Sequence, residues 1–175
     1  LEVALAGRHQ PANLAAAVAG ALALGEDFEE AAHRAAASGG SAWRMEEHTG
    51  RYTVVNEAYN ANPDSTAAAL ATVAAMPGRH DAVLGKMHEL GDAEAAAHRE
   101  VGERARALGF AAVVVVGDDP GIADGAGPVA RRVGGIEEAS EVLDGYLTDG
   151  DVVLVKASRA EGLERLAEML KGAAS

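Results

Sequence analysis

Val54-Val55-Asn56-Glu57-Ala58-Tyr59-Asn60-Ala61-Asn62-Pro63-Asp64-Ser65 is the stretch whose reading decides the fold. The two valines end a strand, a polar loop follows, and Pro63-Asp64-Ser65 opens an Ala-rich run to Val73 that reads as a helix. A loop that leaves the carboxyl end of a strand and enters the amino end of a helix is where open α/β sheets bind ligands. The loop's amides, its carboxylate and its phenol can face one crevice.

Outward from this stretch, strand and helix patterns alternate. Strands are predicted near 52–56, 80–84, 111–116 and 151–155, and helices near 64–76, 92–108, 136–147 and 160–171. The runs Ala112-Val113-Val114-Val115-Val116 and Val152-Val153-Leu154-Val155 are continuously apolar, as strands buried on both faces of a parallel sheet are. Alternation of this kind implies βαβ crossovers and a doubly wound sheet. Residues 44–175 therefore read as a Rossmann-like α/β domain with a mostly parallel sheet. Pro120 to Gly127 is a Gly/Asp loop without a clear assignment.

Upstream, residues 2–6 read as a short strand, and Asn13 to Leu24 as a helix of small apolar residues ended by Gly25. Asp27 can cap a further helix running to about Ala37. Ser38-Gly39-Gly40-Ser41 is the best linker candidate. Residues 1–40 look like the tail of a preceding domain, because they hold too little to bury a core alone.

The bulk properties narrow the classes of function. The net charge of −12 argues against nucleic acid, whose phosphates want a basic face. It leaves room for a nucleotide, which needs only a local cluster of donors. The absence of cysteine excludes disulfides and thiolate metal sites. With aromatics at 3% the core must come from Ala, Val and Leu. No apolar run approaches the ~18 residues that span a membrane, and no basic-then-apolar leader precedes the fold. The expectation is a soluble, cytoplasmic, monomeric protein without membrane insertion. Leu1 stands where an initiator methionine would, so the chain reads as a fragment.

Several segments carry a family resemblance, and they occur in family order. Tyr59-Asn60-Ala61-Asn62-Pro63-Asp64-Ser65 resembles the Y-N-A-N-P-D-S signature of the Mur ligases, in the branch that handles D-alanyl-D-alanine. Gly7-Arg8-His9-Gln10-Pro11-Ala12-Asn13 is similar to the G-x-H-N/Q-x-x-N turn near the end of that family's central ATPase domain. Arg44-Met45-Glu46 is similar to the R-M-E that opens its C-terminal domain. Leu84 to Gly91 resembles L-G-D/E-M-x-E-L-G, His98 to Gly102 matches H-R-E-V-G, and Gly150 to Arg159 resembles G-D-V-V-L-V-K-G/A-S-R.

The resemblance implies an ATP-dependent amide ligase that adds D-alanyl-D-alanine to UDP-N-acetylmuramoyl-tripeptide through an acyl phosphate. Residues 1–40 would be the C-terminal remnant of the central ATPase domain, and 44–175 the C-terminal Rossmann-like domain. The cofactors implied are ATP and Mg2+, the metal bound mainly by the central domain.

The resemblance also distributes the site residues. Asn13 would read the adenine edge, a task that suits an amide able to donate and accept; by spacing alone it could equally cap a helix. Arg44 would contact the nucleotide, since a guanidinium pairs with phosphate or stacks on a base; the alternative is a surface arginine paired with Glu46 or Glu47. Glu57 takes the place of an Asp that contacts the ribose in relatives. Asn60 joins the nucleotide contacts, although Asx-type turns at Asn60 and Asn62 also fit. Tyr59, Lys156, Ser158 and Arg159 would meet the amino substrate, with a helix amino terminus adding its dipole. Arg159 and Ser158 would hold the dipeptide carboxylate.

Lys86 departs from the family, which has Asp or Glu before this Met; following a strand end it should still face the crevice, the alternative being a solvated loop residue. His98 reads as structural, because nothing pairs it with a nucleophile or a metal ligand. There is no G-x-x-x-x-G-K-S/T phosphate loop, so this chain would supply one wall of an active site and be inactive alone. The alternatives are another Mur-type or folylpolyglutamate-type ligase, or a noncatalytic Rossmann-like binding module. A nicotinamide dehydrogenase is disfavoured, because no G-x-G-x-x-G follows a strand.

Overall fold

A computed structural model describes residues 10–37 and 43–174. The expected strand at 2–6, the Gly7–His9 part of the first turn and the linker Ser38–Ser41 lie outside the described residues. The chain divides into two compact units, residues 1–41 and 42–175.

The first unit carries α1 (Gln10–Ala23) and α2 (Phe28–Ala37). Gly25, at φ 89°, makes the left-handed stop that a side chain would resist. Asp27 Oδ1 accepts the Glu29 and Glu30 amides at 2.9 and 3.1 Å, capping α2 as expected. Asn13 lies within the first turn of α1 and is exposed, so it does not cap the helix. Leu22, Leu24 and Phe28 keep apolar surface exposed.

The second unit is a six-stranded sheet in the order β1-β2-β6-β3-β4-β5. The strands are β1 (Glu46–Thr49), β2 (Thr53–Asn56), β3 (His80–Leu84), β4 (Ala112–Val116), β5 (Ala130–Val133) and β6 (Val152–Lys156). All neighbours pair in parallel except β1 and β2. The helices are α3 (Pro63–Ala74), α4 (Glu94–Ala107), α5 (Ile122–Ala126), α6 (Ile136–Asp144) and α7 (Glu164–Ala174). Every residue of β4 and β6 is buried, which accounts for their unbroken apolar runs. One face of the sheet, through Val54, Val83, Val114, Val153 and Val155, packs with Leu143, Leu166 and Leu170 of α6 and α7.

Three elements, β1, α5 and β5, were not legible in sequence. β1 is Glu-Glu-His-Thr, a charged edge strand without an apolar alternation. The Pro120–Gly127 segment contains α5 and leads to β5. Asp119 holds the start of α5 by accepting the amides of Gly121, Ile122 and Ala123 at 2.9, 2.6 and 3.0 Å. Burial pushes the Asp119 carboxyl up, but these bonds and one from Arg132 outweigh it and hold the pKa below the usual range. Then α5 packs on α4 backbone to backbone. A Cβ on Gly102 would lie 2.0 Å from the Ile122 carbonyl oxygen, and one on Gly125 2.0 Å from that of Arg99. The glycine closing the His98–Gly102 segment is there for this approach.

Helix starts also shift. The residues before α4 and α7 form 3-10 turns at Gly91–Ala93 and Arg159–Glu161. The helix dipole expected beside Arg159 therefore begins at Glu164, beyond left-handed Gly162.

Candidate active-site wall

Parallel pairing brings the carboxyl ends of β2, β6 and β3 side by side, with Asn56 opposite Val155 and Leu84 opposite Lys156. Because β1 runs antiparallel, its entry at Trp43–Met45 lies at the same edge. Three loops and one turn thus share this rim, as the strand–loop–helix reading anticipated.

Ser158 fastens the loops together. Its amide donates to the Lys86 carbonyl at 3.1 Å, its hydroxyl donates to the Ala61 carbonyl at 3.3 Å, and its Oγ accepts the His88 amide at 3.0 Å. The residue is buried. It sits beneath the surface where the resemblance placed a substrate contact.

Lys156 is buried more deeply, at 1% exposure. Its Nζ donates to the Asn60 carbonyl oxygen at 2.8 Å and lies 3.5 Å from Glu57 Oε1. Burial lowers its pKa; the charge and hydrogen bond of Glu57 oppose that, and the nearby charge of Arg44 adds to it. The other Glu57 oxygen accepts the Met45 amide. Glu57 and Lys156 therefore spend their polar atoms on the protein, whereas the sequence reading had them facing nucleotide and amino substrate. The Asn60 side chain is on an exposed residue, and Asn62 caps α3 through a reciprocal pair of bonds with Ser65.

Arg44, Tyr59 and Arg159 are exposed as well. The Arg44 guanidinium lies 4.1 Å from the centre of the Tyr59 ring, and that of Arg159 lies 5.6 Å from it. Arg159 also stacks on Trp43 at 4.9 Å. Neither arginine makes an ion pair among the described residues. Glu46, one of the partners considered for Arg44, instead meets His48 at 3.0 Å and accepts the Trp43 amide at 3.2 Å. Two uncompensated guanidiniums on one ring, in a chain of net charge −12, form a local anion-attracting surface.

Trp43 escaped the sequence reading. It is the single tryptophan of the chain and directly precedes Arg44-Met45-Glu46, which was the available signal.

Lys86 is not a solvated loop residue. Its ammonium meets Asp118 at 2.9 Å and Glu94 at 3.1 Å, and these bonds raise its pKa. The carboxylates consume the charge that the sequence departure introduces. His98 is fully buried, and its Nε2 accepts the Met87 amide at 2.8 Å. Since Nε2 must accept, Nδ1 carries the proton and donates to the Glu94 carbonyl at 2.7 Å. Both nitrogens go to backbone, in line with the structural reading.

Residues 43–159 match the family described as Mur ligase, glutamate ligase domain, and the chain belongs to that family. It is 37% identical to the UDP-N-acetylmuramoyl-tripeptide--D-alanyl-D-alanine ligase of Mycobacterium leprae, over 98% of this chain and 38% of that protein. It superposes on MurF from Acinetobacter baumannii with TM-score 0.87 and 28% identity, covering 97% of this chain and 39% of that one. Against MurF ligase from Thermotoga maritima in complex with ADP, the TM-score is 0.80 at 28% identity, covering 95% and 38%. The chain thus spans well under half the length of these relatives. Among the described residues no helix is long and apolar enough to cross a membrane.

Proposed function

We propose that this chain is the carboxyl-terminal part of an ATP-dependent ligase that adds D-alanyl-D-alanine to UDP-N-acetylmuramoyl-tripeptide in peptidoglycan precursor synthesis. Residues 1–40 would end its central ATPase domain and residues 44–175 form its C-terminal domain. The relatives' names support the reaction, and the ADP complex of one of them supports a nucleotide. We place the parent enzyme in the cytoplasm, as a monomer.

In that reaction ATP phosphorylates the tripeptide carboxylate, and the dipeptide amine then attacks the acyl phosphate, expelling inorganic phosphate. Phosphoryl transfer needs a phosphate cradle and a metal. The described residues hold no group of three His, Cys, Asp or Glu fit to bind an ion. Asp118 and Glu94 are occupied by Lys86, and Glu161 faces His88 at 2.6 Å. These residues do not fit Mg2+, which we assign to the rest of the parent. The chain alone is expected to be inactive.

The observation that carries the reading is the Arg44–Tyr59–Arg159 group on the carboxyl rim of the sheet. Arg44 attracts nucleotide phosphate, and Arg159 holds the free carboxylate of the dipeptide. Asn13, on the exposed face of α1, reads the adenine edge, and the Asn60 amide is available to the nucleotide. Ser158 serves by fixing the loops that carry Tyr59 and Arg159.

Steady-state kinetics of the full-length parent, each substrate varied in turn, test this. Loss of a hydrogen bond to a charged group costs ~1.5–3 kcal/mol, roughly tenfold or more in binding. Arg44→Ala should raise the apparent ATP constant by that factor and Arg159→Ala the dipeptide constant. Wild-type constants for both variants would remove the support for this rim as the substrate-facing wall.

A further inference from the structure

Lys156 is the largest fully buried side chain among the described residues, and its hydrogen bonds go to the loop that follows β2. The ammonium fixes the Asn60 carbonyl and compensates Glu57. Glu57 in turn grips the Met45 amide. Met45 has φ 49° and Trp43 φ 60°, so Arg44 stands between two non-glycine residues in the left-handed region. Side-chain-bearing residues occupy that region only where their surroundings impose it. Here the Trp43 amide is held by Glu46, the Trp43 carbonyl accepts the Tyr59 amide at 3.1 Å, and the Met45 amide is held by Glu57.

We infer that Lys156 is a positioning residue for Arg44, acting through Glu57 and the Met45 amide, and not a ligand of the amino substrate. The buried ammonium holds Glu57 in place, Glu57 pins the strained turn, and the turn delivers the guanidinium to the face of Tyr59. The inference rests on the reading of Arg44 as a nucleotide contact. It changes which substrate Lys156 serves.

The test is the full-length parent carrying Lys156→Met, Lys156→Met/Glu57→Gln and Arg44→Ala, with ATP and D-alanyl-D-alanine constants measured for each. Lys156→Met leaves a half-buried carboxylate uncompensated. It should raise the ATP constant about as far as Arg44→Ala does, with the dipeptide constant within twofold of wild type. Adding Glu57→Gln removes that charge but keeps an oxygen for the Met45 amide, so it should recover most of the ATP affinity. The double variant also buries no lone charge, which keeps the test open if Lys156→Met does not fold. In the present chain, emission from Trp43 should shift red in Lys156→Met and return in the double variant. A raised dipeptide constant in the double variant, or a Lys156→Met ATP constant equal to wild type, overturns the inference. An Arg44→Ala enzyme with unchanged ATP dependence defeats instead the nucleotide reading on which it rests.

Discussion

Arg44 and Tyr59 meet face-on, the guanidinium carbon 4.1 Å from the ring centre, and Arg159 approaches the same ring without a carboxylate to either cation among the described residues. The ring is what tolerates two like charges at one spot. Each exposed cation–π contact contributes ~0.5–1 kcal/mol. Tyr59→Leu in the parent enzyme should therefore raise both the ATP and the dipeptide constants by roughly two- to fivefold, while Tyr59→Phe stays near wild type. An effect confined to one substrate would show that the ring serves only one arginine.

At the opposite end of the sheet, the Asp81 side chain is completely buried. Burial raises its pKa to about 6; Arg79, 3.5 Å away, pulls it down, and Asp151 pushes it up. The folded chain then binds its proton more tightly than the unfolded one, whose carboxyl titrates near 3.8. Stability should be fullest below that lower value and fall as pH rises through about 6. Two pKa units set a ceiling of ~3 kcal/mol. Asp81→Asn should stabilise the chain by about 1–2 kcal/mol at neutral pH and by nothing in strong acid. Urea melts at both extremes check this, and an equal effect at both would refute the titration.

Gly102 and Gly172 offer a controlled pair. A Cβ on Gly102 strikes the Ile122 carbonyl, which no side-chain rotation relieves, whereas nothing lies within 4 Å of one on Gly172. Thermal melts should show Gly102→Ala losing about 1–3 kcal/mol or more. Gly172→Ala should gain up to ~1 kcal/mol from helix propensity. Equal stability in the two variants would contradict the close approach of α4 and α5.

Replacing His98 by Ala orphans the buried Met87 amide, at a cost of about 1–3 kcal/mol. The loop from Lys86 to Glu89 should loosen first. Hydrogen exchange should therefore accelerate at Met87 well beyond the change at Val114 in the central sheet. Uniform acceleration would mean that His98 supports the whole core and not that loop.

The apolar strands β4 and β6 and the helix cap at Asp27 were readable because each follows from local chemistry that one sequence displays. β1 was not, since an edge strand needs no apolar alternation. Nor was α5, whose stability comes from glycine contacts with a helix twenty residues earlier and from Asp119. The strand–loop–helix pattern brought Tyr59 and Arg159 to one edge of the sheet, whereas Arg44 came from the resemblance alone, since the strand that follows it was not legible. Which side chains are at the rim's surface was not legible. Lys156 and Ser158 follow an apolar strand just as Arg159 does, and only the folded loops decide that the first two are covered.

The central position of β6 bears on how the chain is made. Val152–Lys156 is the last strand in sequence, yet it pairs with both β2 and β3. Throughout synthesis those two strands lack their shared neighbour, and each presents an unsatisfied edge. Long-range parallel pairing is slow, and unpaired edges invite association with other chains. The interval between release of β5 and release of β6 from the ribosome is thus when nascent copies are most open to aggregation and to chaperone capture. A translation product stopped before Val152 would hold two half-sheets without the strand that joins them.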